Sequence, residues 1–303
     1  MATTRDGILV LDDGRRLGYA DAGEPDGLPI FLLHGTPGSR VFRFENEPLV
    51  KDERLRMITP ERRGYGLSDP FPERTILGFA DDIRQLADEL DIQKFHVAGV
   101  SGGGPYALAC AAVLQNRVLS ATLIASATPV DMKGFSKGMS IGNRISFAIA
   151  RYLPFMLKPL YAYSVRSMIK SPEKVVDGLA PQLCAWDRKV LSELREQGVM
   201  DVFLDHIREA YRTGYSGGYT DIRLLVKPWH IDFSTLILPI FVWHGEDDTL
   251  IPVAAAKEFV QMLPGCDTHF LDGAGHLLLE SDKYVGSIIT ALKKIESSPI
   301  GDI

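Results

Sequence analysis

One segment constrains this 303-residue chain more than any other: Phe95-His-Val-Ala-Gly99-Val-Ser101-Gly-Gly103-Gly-Pro105-Tyr-Ala-Leu. An apolar run too short for a helix passes into a helical stretch through a serine bracketed by glycines. In so sharp a strand-to-helix turn, side chains at positions 99 and 103 would collide, so glycines occupy both. The turn is expected to hold Ser101 in a strained backbone conformation with its hydroxyl presented outward. The N-terminus of the following helix adds positive potential where an oxyanion would form. Glycine-rich turns of this kind also cradle phosphates. Here both G-x-G-x-x-G and the Walker lysine are missing, so Ser101 reads as a nucleophile.

A strand that feeds a helix in this way belongs to a parallel sheet, and the rest of the chain agrees. Short β-rich runs occur at 29–33, 57–59, 95–98, 121–126, 240–243 and 268–271. Between them lie helical segments at 76–90, 102–114, 253–263 and 281–295; in the first, Ile76, Phe79, Ile83, Leu86 and Leu90 form a core-facing stripe. Segments 7–12 and 15–22 read as a hairpin around Asp13-Gly14. The fold class is therefore α/β, a mostly parallel sheet with helices on both faces. From about 128 to 236 the alternation stops and only helix-like segments follow. That stretch holds 15 Lys+Arg against 11 Asp+Glu, whereas the remainder holds 18 against 28. The chain thus divides into an α/β core, 1–127 and 237–303, and an inserted basic helical cap, 128–236.

Composition excludes several classes. With 46 % hydrophobic and 24 % charged residues there is ample apolar area for a packed core, and disorder is out. A formal net charge of −6 gives no basic footprint for nucleic acid. The three cysteines, Cys110, Cys184 and Cys266, are far apart and never at CxxC spacing, so no metal site or redox motif is expected. No signal-peptide stretch opens the chain. The most apolar region, 145–163, is broken by Arg151, Pro154, Lys158 and Pro159, so no integral membrane span is expected. A cytoplasmic protein acting on a small molecule is the default, with its oligomeric state open.

A serine hydroxyl needs an oriented base. Gly273-Ala-Gly-His276 follows the 268–271 run, which puts His276 in a loop beyond a strand's carboxyl end. His34 and His244 each precede a glycine at a strand end and read as local packing or hydrogen-bonding residues. As the base, His276 is expected to titrate at about 6 to 7. The orienting acid should follow another strand, and Gly245-Glu-Asp-Asp248 offers Asp248, with Asp131 as the runner-up. The order Ser101, Asp248, His276 is that of one known triad arrangement. Two backbone donors for the oxyanion are Gly102 and, in His34-Gly-Thr36-Pro37-Gly, Thr36, since Pro37 has no N–H to give.

With His34-Gly-Thr-Pro-Gly, Gly64-Tyr-Gly-Leu-Ser68, Gly99-Val-Ser-Gly-Gly, Gly245-Glu-Asp-Asp248 and Gly275-His276, the chain resembles the α/β-hydrolase-fold proteins over nearly its whole length. The resemblance implies an eight-stranded sheet, a cap before the last two strands, and a serine triad with neither metal nor organic cofactor. Where members often carry D-x-R-G-x-G-x-S, this chain has Glu61-Arg62-Arg63-Gly64, a position that reads as structural. Ser101 argues against the aspartate-nucleophile members. Thr36 and Gly102 argue against the proline-iminopeptidase-like ones, which carry H-G-G-P-G and a Trp after the nucleophile. What remains is hydrolysis of a carboxylic ester of a small to medium apolar substrate through an acyl-enzyme. C–C bond hydrolysis and thioester hydrolysis are the near alternatives, and a ligand receptor or scaffold with little turnover is the alternative from another class. A cofactor-free oxygenase or perhydrolase has no sequence feature in its favour.

Eight basic residues and one acid fall between Lys133 and Lys174, interleaved with Phe147, Ile149, Leu153, Phe155, Met156 and Leu160. The basic face is read as solvated opposite the acidic body, with steering of anions or contact with a membrane surface as the alternative. The apolar side is expected to wall the substrate site. Tyr215-Ser-Gly-Gly-Tyr219 and Trp229 are candidate hinges or pocket liners.

Overall fold

The computed structural model describes residues 4–42 and 53–293. The outermost parts of the expected core, 1–3 and 294–303, and the last two residues of the 281–295 segment, lie outside the described residues.

Eight strands form one sheet: β1 (Arg5–Val10), β2 (Arg16–Gly23), β3 (Leu28–Leu33), β4 (Leu55–Pro60), β5 (Phe95–Val100), β6 (Val118–Ile124), β7 (Ile240–Gly245) and β8 (Asp267–Leu271). Their spatial order is β1-β2-β4-β3-β5-β6-β7-β8. The β1–β2 hairpin turns at Asp13-Gly14, where Gly14 has φ 82, and β2 pairs antiparallel with β4; every other pairing is parallel. In the parallel part all carboxyl ends therefore point to one edge.

Strand alternation sorts the core into two layers. Phe31 and Leu33 of β3 and Phe95 and Val97 of β5 face one side, where they pack with α1 (Phe79–Glu89), α2 (Gly104–Val113) and α9 (Val253–Phe259). Ile30 and Leu32, with Ala98 and Val100, face the other, against α10 (Asp282–Lys293). Burying each of these side chains except the small Ala98 stabilises by roughly 1.5–3 kcal/mol. Both faces of the sheet are covered, which is why these strands read as near-continuous apolar runs.

Between β6 and β7 the described chain is helical: α3 (Ile141–Tyr152), α4 (Pro154–Lys170), α5 (Pro172–Leu179), α6 (Ala185–Glu196), α7 (Met200–Ala210) and α8 (Ser216–Leu225). Pro154 opens α4 at a position where its missing N–H costs nothing. Two expectations for this insertion change. Leu153, Phe155, Met156 and Leu160 do not wall a site but are exposed, because α4 buries the opposite stripe around Leu157 and Val165. Gly217 and Gly218 are not hinges: they lie in α8, where a Cβ would meet Gly64 O at 2.6 Å and Tyr161 Oη at 2.0 Å. Trp229 is buried against Phe259 in the main core. No helix among the described residues is long and apolar enough to cross a membrane.

Candidate active site

Ser101 stands directly after β5, in a single 3₁₀ turn that leads into α2. Its φ of 52 is left-handed, the strain expected of a serine thrust out of such a turn. The bracketing glycines are required by close approach. A Cβ on Gly99 would lie 2.5 Å from Gly103 O, and one on Gly103 would lie 2.2 Å from Leu33 O.

The loop after β3 lies beside this turn. A Cβ on Gly102 would meet Thr36 Oγ1 at 2.3 Å and Thr36 N at 3.3 Å, so Thr36 and Gly102 stand side by side. The Thr36-Pro37 peptide is cis. His34 serves locally: the Arg62 N–H donates to its Nε2 (3.2 Å), and its Nδ1–H donates to Gly35 O (2.8 Å). Burial and the Arg62 charge hold its pKa well below the ordinary histidine value, so it stays neutral.

The loops after β7 and β8 meet at the same edge. His276 Nδ1 lies 2.7 Å from Asp248 Oδ2. The other oxygen, Oδ1, accepts the Leu250 and Ile251 amides at 2.7 and 2.9 Å, which fixes the carboxylate in place. Burial alone would raise the Asp248 pKa; its charge and hydrogen-bond interactions with His276, helped by His244 and the Ile251 amide, hold it below the ordinary value. The converse holds for His276. Burial works against its charged form, yet Asp248, with smaller contributions from Asp187 and Glu280, pushes it up to about 9. That corrects the expected 6 to 7, because a wholly buried carboxylate at contact distance outweighs desolvation of the ring. Asp247 is exposed, Glu246 pairs with Lys257 (2.5 Å), and Asp131 is exposed at the start of the helical insertion. His244 Nε2 bonds Ile251 O (2.8 Å), a local role as expected. Among the described residues Ser101 Oγ makes no hydrogen bond to His276.

Two buried acids escaped the sequence reading. Asp187, in the first turn of α6, accepts the backbone amides of His276 (2.7 Å) and Leu277 (2.9 Å) on Oδ1. Gly275 makes room, since a Cβ there would meet that carboxylate at 2.4 Å. Burial raises the Asp187 pKa. Asp221, in α8, takes bonds from Tyr106 (2.6 Å) and Arg74 (2.8 Å) on Oδ1, and from Arg62 (2.7 Å), Tyr65 (2.8 Å) and Thr36 Oγ1 (3.0 Å) on Oδ2. Burial would raise its pKa, but the two guanidinium groups hold it far below the ordinary value. Arg62 also donates to His34 O and Gly35 O, so the helical insertion grips the Thr36 loop through one fully buried arginine. No local pattern marks Asp187 or Asp221, but the consecutive arginines Arg62 and Arg63 just beyond β4 are a signal that buried acid is needed nearby, met by Asp221 and Asp82. Glu61 is structural, as read: it accepts the Arg40 and Leu67 amides at 3.1 and 2.6 Å. No group of three or more His, Cys, Asp or Glu among the described residues could hold a metal ion.

The family model for the alpha/beta hydrolase fold matches residues 29–283. A non-heme chloroperoxidase from Streptomyces lividans is 26 % identical over 281 residues, covering 91 % of this chain and 94 % of that protein. A proline iminopeptidase from Xylella fastidiosa is 36 % identical over 112 residues, or 35 % of this chain and 34 % of its own. Among solved structures, an esterase from Exiguobacterium antarcticum superposes with a TM-score of 0.69 at 19 % identity, covering 97 % of this chain and 100 % of its own, a likeness of fold alone.

Proposed function

The chain belongs to the alpha/beta hydrolase family, and from that premise we propose that it is a serine hydrolase that cleaves a carboxylic ester of a small to medium apolar substrate. The observation that carries this reading is the buried Asp248–His276 pair at 2.7 Å, on the sheet edge where Ser101 also stands. Asp248 keeps a proton on His276 Nδ1, which leaves Nε2 to take the Ser101 hydroxyl proton as Oγ attacks the ester carbonyl. The carbonyl oxygen gains the negative charge, and the Gly102 and Thr36 amides receive it. Collapse breaks the ester C–O bond, His276 returns its proton to the departing alcohol, and an acyl-Ser101 remains. Water, deprotonated by the same nitrogen, then releases the acid.

Residues 128–236 act as a cap on this core, joined to it through Asp187 at the His276 loop and Asp221 at the Thr36 loop. The triad chemistry suits thioesters and activated C–C bonds as well. Similarity to a chloroperoxidase over 91 % of the chain also favours a second reading, in which hydrogen peroxide replaces water at the acyl-enzyme and a peracid leaves. We place the protein in the cytoplasm.

The test is a series of p-nitrophenyl esters of rising chain length, run in water and with added peroxide, together with a fluorophosphonate label located by mass spectrometry. The label should sit on Ser101, and Ser101→Ala should lose both labelling and turnover. Turnover that persists in Ser101→Ala overturns the mechanism; labelling without turnover on any ester favours the receptor alternative.

A further inference from the structure

Nine of the sixteen exposed large apolar side chains among the described residues lie between 141 and 169, eight on α3 and α4 and the ninth, Leu153, between them. Both helices bury one stripe and leave a second one in water. On α4 the inner stripe is Leu157, Tyr161, Val165 and Met168; the outer one, at the same three- and four-residue spacing, is Phe155, Pro159, Tyr163, Arg166 and Lys170. On α3 the outer stripe is Ile141, Arg144, Ile145, Ala148, Arg151 and Tyr152. Phe155 is 73 % exposed, and Tyr152 and Tyr163 are each 72 % exposed. Leu153 joins the two helices directly, and they pack on one another.

A helix of a globular protein ordinarily shows one apolar stripe and a polar back. Here the back carries aromatic rings and cations together, and among the described residues none of Arg144, Arg151, Lys158, Arg166 or Lys170 forms an ion pair. We propose that the outer faces of α3 and α4 are a docking surface for an anionic lipid bilayer, which the protein touches without crossing. Tyr152, Phe155 and Tyr163 would sit at headgroup level, with the arginine stems along the apolar surface and their charges on lipid phosphates. Charge complementarity selects this occupant. Between Lys133 and Lys174 there are eight basic residues and one acid, so a second copy docked by two-fold symmetry would set cations against cations with almost no acid to pair them. A bilayer supplies both the anions and the apolar interior.

Co-sedimentation with vesicles tests the proposal on the full chain. Protein should pellet with phosphatidylcholine vesicles that contain about a third phosphatidylglycerol, stay in solution with phosphatidylcholine alone, and be released by salt. Neutralising Arg144, Arg151 and Arg166 together with Gln should weaken binding by on the order of 100-fold, since each cation near such a surface is worth about fivefold. Phe155→Ser with Tyr163→Ser should weaken it with every charge intact; these side chains are exposed, so an unchanged melting temperature shows that both variants fold. Absence of binding, equal binding to neutral vesicles, or retention by either variant overturns the proposal. So does a dimer in solution that these substitutions dissociate, which would make a second copy the occupant.

Discussion

Asp248 and Asp247 are chain neighbours with opposite surroundings, and that contrast decides what each can do. Asp248 is buried with both oxygens engaged, whereas the Asp247 side chain is exposed. Asp248→Asn should therefore keep the fold and lower kcat by on the order of 10³ or more, because an amide orients the wrong imidazole tautomer. Asp247→Asn and Asp131→Asn should leave kcat/KM near normal. If Asp131→Asn is the inactive one, the acid has been misassigned. Asp187 acts on the same histidine from the other side, through its backbone. Asn at 187 still offers an oxygen to the His276 and Leu277 amides but removes a negative charge that raises the His276 pKa. Asp187→Asn should thus move the alkaline rise of kcat/KM to lower pH with little loss of maximal rate, whereas Asp187→Ala should lower the maximal rate as well. An unmoved pH profile in Asp187→Asn would show that this carboxylate only braces the loop.

At the level of elements, the sheet was the legible part. Strand runs bounded by Gly, Pro or Asp were placed to within a few residues, and β6 alone began noticeably earlier than expected, at Val118. Local chemistry marks the Ser101 turn, the Thr36 loop and the Asp248 loop, because each needs particular glycines, prolines or carboxylates at fixed offsets. The helical insertion was legible as helix but not in orientation: the outer stripe of α4 carries large apolar rings among its cations while the inner one is apolar, so periodicity alone cannot say which one is buried. Asp187 and Asp221 were illegible because the loops and side chains they hold across the sheet edge lie 89 or more residues away. The α8 contact carries its own prediction. Asp221→Ala leaves Arg62 and Arg74 buried without their acid, a defect that costs about 3–5 kcal/mol. In a chain of this size that lowers Tm by about 5–8 °C. Because Thr36 loses its hydroxyl acceptor, kcat should fall at temperatures where the variant is still folded. Asp201→Ala, an exposed control in the same insertion, should stay within about 0.5 kcal/mol of wild type. Wild-type thermal stability in Asp221→Ala would mean that the network contributes nothing to holding the helical insertion.

For the molecule as a whole, histidines set both ends of the pH range, and they set activity and stability apart. His34, His96, His206 and His244 are all buried, and burial lowers the pKa of each; His96 and His206 fall to about 4. Unfolding returns each to an ordinary histidine value near 6.5, so between pH 6.5 and about 4 the unfolded chain binds more protons and stability falls with pH. For His206 alone the loss is on the order of 3 kcal/mol by pH 4, a large share of a margin of about 5–15 kcal/mol. His276 works in the opposite sense. Its folded pKa of about 9 means that the Asp248 pair stabilises fully below 6.5 and loses its contribution as pH rises through 9. In the proposed mechanism the neutral imidazole is nevertheless the base, so kcat/KM should climb over the interval in which the ion pair is being lost. Melting temperature should peak close to neutrality, with kcat/KM still rising toward pH 9. His206→Phe, which replaces a ring already packed against Phe42 and Phe203, should flatten the acid limb of the melting curve and leave the alkaline limb alone. Asp248→Asn should do the reverse, flattening the alkaline limb. Coincident optima for stability and rate in the wild type would show that His276 titrates as an ordinary histidine despite its buried partner.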